Sequence, residues 1–195
     1  LLRMAATHPE VDLVGISALT PLARRAYEIA DEFRRRGRTV VVGGHHATWM
    51  TEEALLHADA VVTGEAEVSW PRLLADVGAR NLQRIYRAEP AAAFPSVGPA
   101  RRDLLNRKKY LFLNTIQTTR GCPFDCEFCA VTPFYGHTYR TRPLAEVEAD
   151  LATLSGGANF LFIVDDNVVG NPRYAKELFS LLKRYRFKWL SQASV

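Results

Sequence analysis

Short apolar runs alternate with helical stripes through residues 1–78. VDLVGIS (11–17), TVVVGG (39–44) and AVVTG (60–64) are mostly β-branched or small and apolar, the mark of short strands buried on both faces. Between the first two, PLARRAYEIADEFRRRG places Leu22, Ala26, Ile29, Ala30 and Phe33 on one helical face, with Gly37 as a C-terminal cap. Thr51 is expected to cap a helix through EEALLH, with Glu52 and Glu53 in its first turn, and Ser69 to cap WPRLLADV. Strands that alternate with helices imply parallel pairing through right-handed crossovers. The segment therefore predicts a doubly wound α/β domain.

Residues 79–110 lose the period. AEPAAAFPSVGPARRD is rich in Ala and Pro, which predicts a domain linker. Alternation returns over 111–195. LNTIQTT (113–119) reads as a strand and leads into the loop RGCPFDCEFCAVTPFYG (120–136). Pro143 opens a helix with Leu144, Val147, Leu151 and Leu154 on one stripe. NFLFIV (159–164) is a buried strand running into Asp165, Asp166 and Asn167. Asn171 and Pro172 start a helix with Tyr174, Leu178, Leu181 and Tyr185 inward, and KWLSQAS is the next strand. This is a second β/α domain, and ligands of such sheets collect at the carboxyl ends of the strands. The first Met is residue 4 and the chain stops after a strand-like run, so both ends read as cut from something longer.

Composition narrows the class. Apolar residues make up 48% and charged ones 24%, as in a soluble globular protein, and no stretch is apolar enough to span a membrane. The net charge of +4 is mild. Its basic runs, RRDLLNRKKY (101–110) and KRYRFK (183–188), suit solvated faces or a linker better than a nucleic-acid footprint. All three cysteines fall within eight residues. That clustering argues for metal or redox chemistry in a reducing, cytoplasmic setting rather than a disulfide framework.

Cys122, Cys126 and Cys129 are spaced C-x3-C-x2-C, and two chemistries fit. A zinc site would need His137 as a fourth ligand, because structural zinc is closed and four-coordinate. A [4Fe-4S] cluster on three thiolates would keep one iron open for a substrate or cofactor.

With aromatic Phe128 just before the third cysteine, after the first strand of a β/α domain, the loop resembles that of the radical S-adenosylmethionine superfamily. The resemblance implies a cluster on Cys122, Cys126 and Cys129 whose open iron chelates S-adenosylmethionine. One electron, from a donor such as a flavodoxin or ferredoxin, would then cleave the cofactor to a 5′-deoxyadenosyl radical. It further implies that Phe128 contacts the adenine and that Asp165, Asp166 and Asn167 bind the amino group. Core packing for Phe128 and a simple strand-capping turn for the acidic pair are the alternatives. Because side chains alternate along a strand, one of Asp165 and Asp166 at most should face the cofactor. Tyr139, Arg140 and Arg142 could reach a carboxylate or the cluster surround, or could be surface groups before the Pro143 helix.

SALT (17–20), GGHHA (43–47) and TGEAE (63–67), upstream of such a loop, resemble the cobalamin-binding domain of B12-dependent radical S-adenosylmethionine enzymes. The resemblance implies that Ser17, Leu19, Gly43, Gly44 and Gly64 line the groove for cobalamin's nucleotide tail. The strand and loop that in some relatives donate a His to cobalt would precede Leu1, and His45 and His46 read as loop polar groups. The expected architecture is a partial Rossmann-like cobalamin-binding domain (1–78), a linker (79–110) and a partial radical S-adenosylmethionine barrel (111–195), with about three of roughly six strands. The implied activity is methyl transfer to, or cyclisation of, a small-molecule substrate. Alternatives are a radical enzyme without cobalamin and a non-enzymatic, zinc-stabilised binding module.

Overall fold

Val40, Val41 and Val42 are buried in succession because the strand that carries them is covered on both faces. Val40 and Val42 pack with Tyr27, Ile29, Ala30 and Phe33, while Val41 faces the other way onto Ala60, Val62, Leu73 and Tyr86. A computed structural model describes residues 11–88, 93–106, 114–154, 160–185 and 187–194. The chain divides into two compact units, Leu1–Ala91 and Ala92–Val195.

In the first unit, strands β1 (Leu13–Ser17), β2 (Thr39–Gly43), β3 (Ala60–Thr63) and β4 (Ile85–Arg87) form one sheet in chain order. Each neighbouring pair is parallel. Helix α1 (Ala23–Arg35) crosses from β1 to β2 and buries Ala23, Ala26, Tyr27, Ile29, Ala30 and Phe33. Leu22, expected on that stripe, precedes the helix and is 60% exposed. Gly37 ends the crossover as expected, with φ of +72° and its N–H donated to the Arg34 carbonyl at 2.8 Å.

After β2 come α2 (His45–Trp49) and α3 (Thr51–His57), and after β3 comes α4 (Ala66–Gly78). Thr51 does not cap α3. Its hydroxyl donates backwards to the Ala47 carbonyl at 3.0 Å, because α2 runs almost directly into α3. Ser69 is likewise not a cap, since α4 begins one turn earlier and carries Pro71 inside it. Strand β4 falls in the stretch read as linker. RIYR has little apolar pattern, yet Tyr86 is buried against Leu73 and its hydroxyl donates to Asp76 at 2.8 Å.

In the second unit, β5 (Thr115–Ile116), β8 (Phe160–Ile163) and β9 (Lys188–Leu190) pair in parallel in the order β5-β8-β9. Ile116, Leu161 and Ile163 point to the same core as Val147, Leu151 and Leu154 of the α6 segment (helix Leu144–Ala152). Tyr174, Leu178, Leu181 and Leu182 of α7 (Pro172–Lys183) complete it. Asn171 caps α7 as expected, its side-chain oxygen accepting from the Tyr174 N–H at 3.1 Å. Two short antiparallel strands, β6 (Thr119–Gly121) and β7 (Tyr139–Thr141), close the neck of the cysteine loop. Between them lies the short helix α5 (Val131–Tyr135). No helix among the described residues is long and apolar enough to cross a membrane.

Residues 93–106 of the expected linker belong to this second unit. Phe94 is buried, and Arg102 donates to the β5 carbonyl of Thr115 at 2.5 Å. Arg102 and Arg142 grip the two oxygens of Asp150, at 2.6 and 2.9 Å. All three side chains are nearly sealed from water. Burial alone would raise the Asp150 carboxyl, but hydrogen bonds and charge from the two guanidiniums outweigh it and hold the group below its ordinary value.

Asp150→Ala would leave buried Arg102 without its carboxylate and Arg142 with only Glu146, 3.7 Å away, so we expect a loss of about 3–5 kcal/mol in chemical denaturation at neutral pH. The folded pKa lies below the unfolded one, so this contribution is present above the ordinary carboxylate range near ~4 and drains as pH falls through the folded value. Asp150→Asn should flatten that acid-side decline. Parallel acid profiles for the two proteins would contradict the assignment.

Candidate functional site

Parallel pairing brings the first unit's strand ends to one edge. Ser17 is in register with Gly43, and β3 ends beside them at Thr63. The loops that leave this edge carry Ser17 and Leu19, Gly43 and Gly44, and Gly64, so the structure gathers all five residues expected to line a groove. Ser17 is exposed and Leu19 is 55% exposed, leaving a small polar group and an apolar side chain open at the strand ends.

The glycines answer to the fold. Gly44 has φ of +90°, and a Cβ there would lie 2.6 Å from Ser17 Oγ and 3.1 Å from the Ala18 carbonyl. Gly64, at φ +71°, donates its N–H to Thr48 Oγ1 at 2.9 Å. The Ala18 N–H donates to the Gly43 carbonyl at 3.2 Å. The loops after β1 and β2 thus pack on each other at Gly44 with no room for a side chain between, while a Cβ at Gly64 would make only ordinary contact with Ala88, 3.6 Å away. His45 packs on the Trp49 ring at 5.9 Å, while His46 is buried beneath the loops.

In the second unit the cysteine loop springs from its β6–β7 neck. Gly121 has φ of +82°, and a Cβ on it would fall 2.1 Å from the Thr138 carbonyl oxygen across the neck. Cys122 and Cys129 are half-buried and Cys126 is exposed, all three as free thiols. The Cys129 N–H turns back to the Cys126 carbonyl at 2.9 Å, and Thr132 Oγ1 donates to the Phe124 carbonyl at 3.0 Å. Phe128 is 93% exposed, which removes core packing as the reason for an aromatic there. His137, the fourth ligand of the zinc reading, is largely exposed and lies 3.9 Å from Asp125.

Among the described residues, no group of three or more His, Cys, Asp or Glu side chains is gathered so as to hold a metal ion. The donor set nonetheless has the chemistry an iron–sulfur cluster asks for, three soft thiols on one loop of pinned neck. The three sulfurs must be drawn together for it to close. The exposed Cys126 and the turn that follows it are the parts with room to move.

The acidic turn after β8 divides its labour. Asp165 is 1% exposed and accepts from the Thr118 N–H at 2.6 Å and from the Thr118 hydroxyl. Burial pushes its carboxyl up, although hydrogen bonds from Thr118 and Thr119 pull the other way. Its two oxygens are engaged by the N–H and the hydroxyl of Thr118, so Asp165 is a strut between β8 and the approach to the cysteine loop. Asp166 is half-buried and is the member of the pair left nearer solvent. Asn167 is buried, with its Nδ2 3.7 Å from Cys122 Sγ and 3.1 Å from Ser194 Oγ.

Tyr139, Arg140 and Arg142 are not surface charges. The Tyr139 hydroxyl donates to the Asn167 carbonyl at 2.8 Å, Arg140 lies 5.7 Å over the Tyr135 ring, and Arg142 is consumed by Asp150. Sequence reasoning missed the links Asp165–Thr118 and Asn167–Cys122. The signal present was the run of threonines 118–119 facing an acidic turn, which is legible only once the two strand ends are known to be neighbours.

Asp165→Ala should orphan the buried Thr118 N–H and cost about 1–3 kcal/mol in thermal or denaturant unfolding. Asp166→Asn, at a half-buried position, should cost less than Asp165→Ala. Equal losses would contradict the division of roles.

Residues 1–74 match the B12 binding domain family. The chain is 41% identical over 192 residues to the bacteriochlorophyllide d C-8(2)-methyltransferase of Chlorobaculum tepidum, an alignment covering 89% of this chain and 42% of that protein. It is 31% identical to the bacteriochlorophyllide d C-12(1)-methyltransferase of the same organism, over 94% of this chain and 42% of that protein. To the hopanoid C-3 methylase of Methylococcus capsulatus it is 30% identical, over 73% of this chain and 31% of that protein. The chain thus spans under half the length of these curated relatives. The described part of the stretch that matches the B12 binding domain is built on a parallel α/β sheet, and the chain is similar to proteins named as methyltransferases and a methylase.

Proposed function

We propose that this chain supplies the cobalamin-holding and cluster-holding parts of a radical S-adenosylmethionine methyltransferase that acts on a small-molecule carbon. The observation that carries the reading is the meeting of Ser17, Leu19, Gly43, Gly44 and Gly64 at one sheet edge, inside the stretch that matches the B12 binding domain. The names of the relatives favour methyl transfer over cyclisation. The cobalamin-binding domain on this reading runs through β4 rather than stopping at residue 78.

When bound, a reduced cluster supplies the electron that cleaves S-adenosylmethionine, and cobalamin supplies a carrier for the methyl group. The chain's own residues have the simpler work of holding. Leu19 offers an apolar wall and the backbone at Gly43, Gly44 and Gly64 offers close approach. Cys122, Cys126 and Cys129 would hold the cluster, and the exposed ring of Phe128 stands ready to lie against an adenine. Asp166, rather than Asp165, would meet the ammonium of S-adenosylmethionine, with Asn167 beside it holding Cys122 in place. A small electron-transfer protein such as a flavodoxin or ferredoxin and a reducing, cytoplasmic setting follow from the same reading.

Anaerobic reconstitution with iron and sulfide tests it. We expect about four iron and four sulfide per chain and a brown chromophore. Replacement of any one of Cys122, Cys126 and Cys129 by Ala should abolish both. Retention of zinc with no uptake of iron or sulfide would replace this reading by the zinc-stabilised module.

A further inference from the structure

His46 is the buried histidine that the binding reading leaves without a task. It is the second residue of α2, 6% exposed, and both nitrogens of its imidazole have partners. Its backbone N–H donates to the Ala18 carbonyl at 3.2 Å. Its Nδ1 lies 3.3 Å from Thr20 Oγ1, and its Nε2 lies 3.0 Å from the Tyr27 hydroxyl and 3.4 Å from Glu53 Oε1. One side chain therefore touches the turn after β1, helix α1 and helix α3. Behind it the Tyr27 ring stacks on His57 at 4.3 Å, and His57 Nδ1 meets Asp31 at 2.9 Å.

We infer that His46 is a positioning residue for cobalamin, fastening the Ser17–Thr20 turn to α1 and α3 so that Ser17 and Leu19 stand at a fixed height over the groove. The inference rests on the reading that this groove takes cobalamin. The turn has few other ties. The Ala18 N–H bonds Gly43 and the Ala18 carbonyl accepts from His46, while the Leu19 carbonyl is used within the turn by the Leu22 N–H at 2.9 Å. From Ala18 to the short 3₁₀ turn at Thr20–Leu22, the described side-chain anchor is the imidazole against the Thr20 hydroxyl.

The chemistry suits a fixed clamp. The Tyr27 hydroxyl has one proton and donates it to the Glu53 carboxylate, so the neutral imidazole that suits the site donates from Nε2 to the Tyr27 oxygen and accepts at Nδ1 from the Thr20 hydroxyl. Burial, with help from Glu53, pushes the Tyr27 hydroxyl up to about 12, so it stays a neutral phenol at any working pH. With both nitrogens engaged inside the protein, His46 acts on the ligand through the turn and not as a cobalt ligand. Strand-end loops carry binding residues, and rigid binding loops lose less on ordering. Loosening Thr20 from His46 should thus weaken binding without touching a contact residue.

Thr20 is the place to test this, because it is exposed and its hydroxyl can be exchanged for a methyl without opening the core. Hydroxocobalamin affinity is measured by equilibrium dialysis, with thermal unfolding followed by circular dichroism on the same samples. For Thr20→Val we expect a Kd about three- to tenfold higher, with the melting midpoint lowered by no more than the loss of one hydrogen bond, a few degrees. Thr20→Ser should restore wild-type affinity, and His46→Gln should weaken binding at least as much as Thr20→Val. If His46→Gln fails to fold, the Thr20 pair still decides. Wild-type affinity in Thr20→Val, or no rescue by Ser, would overturn the inference while leaving the groove reading in place. A larger fall in the melting midpoint would make the contact merely structural and would also overturn it. Wild-type protein that takes up no cobalamin would overturn the groove reading itself, and this inference with it.

Discussion

Parallel strand pairing forces every strand of a sheet to end at the same edge, and the rest of this chain is arranged around that constraint. In the first unit it sets Ser17 beside Gly43 and delivers the loops after β1, β2 and β3 together. In the second it sets β5, which leads to the cysteine loop, beside β8, which leads to the acidic turn. The hydrophobic cores on either face, Val40 and Val42 against α1 and Val41 against Leu73 and Tyr86, hold the strands in the register that makes the edge.

An edge of this kind works only if the loops can lie close, and two glycines show how tight the fit is. A side chain at Gly44 would strike Ser17, and one at Gly121 would strike the neck of the cysteine loop at Thr138. Both sit at positive φ, where any other residue would be strained. The chain thus meets one demand twice. Backbone left bare for packing is also backbone left bare for a ligand, so small residues at strand ends cannot be assigned to binding on size alone.

The apolar runs, β-branched in β2 and β3, made β1, β2, β3 and β8 legible in the sequence, and the helical stripes and the Asn171 cap made α1 and α7 legible. What stayed hidden depended on partners distant in the chain. Strand β4 is three residues with one buried side chain, Tyr86, and it is a strand because β3 lies next to it. The β6–β7 neck pairs Thr and Arg residues about twenty positions apart, with no apolar alternation to reveal it. Thr51 and Ser69 read as caps by residue type, but helices beginning earlier absorbed them. At the site, the spacing of Cys122, Cys126 and Cys129 was legible and their convergence is not present in the structure. Asp165 and Asp166 could not be told apart until the Thr118 backbone was seen to claim the first.

The central claim is that the carboxyl edge of β1–β3 holds cobalamin. Backbone amide hydrogen exchange, measured on the protein with and without saturating hydroxocobalamin, tests it most directly. The account predicts slowed exchange in the three segments at that edge, residues 17–20, 43–46 and 63–67, with β4 and the helices behind the sheet unchanged. Protection centred on the opposite edge of the sheet, or no protection in any of the three segments, would contradict it.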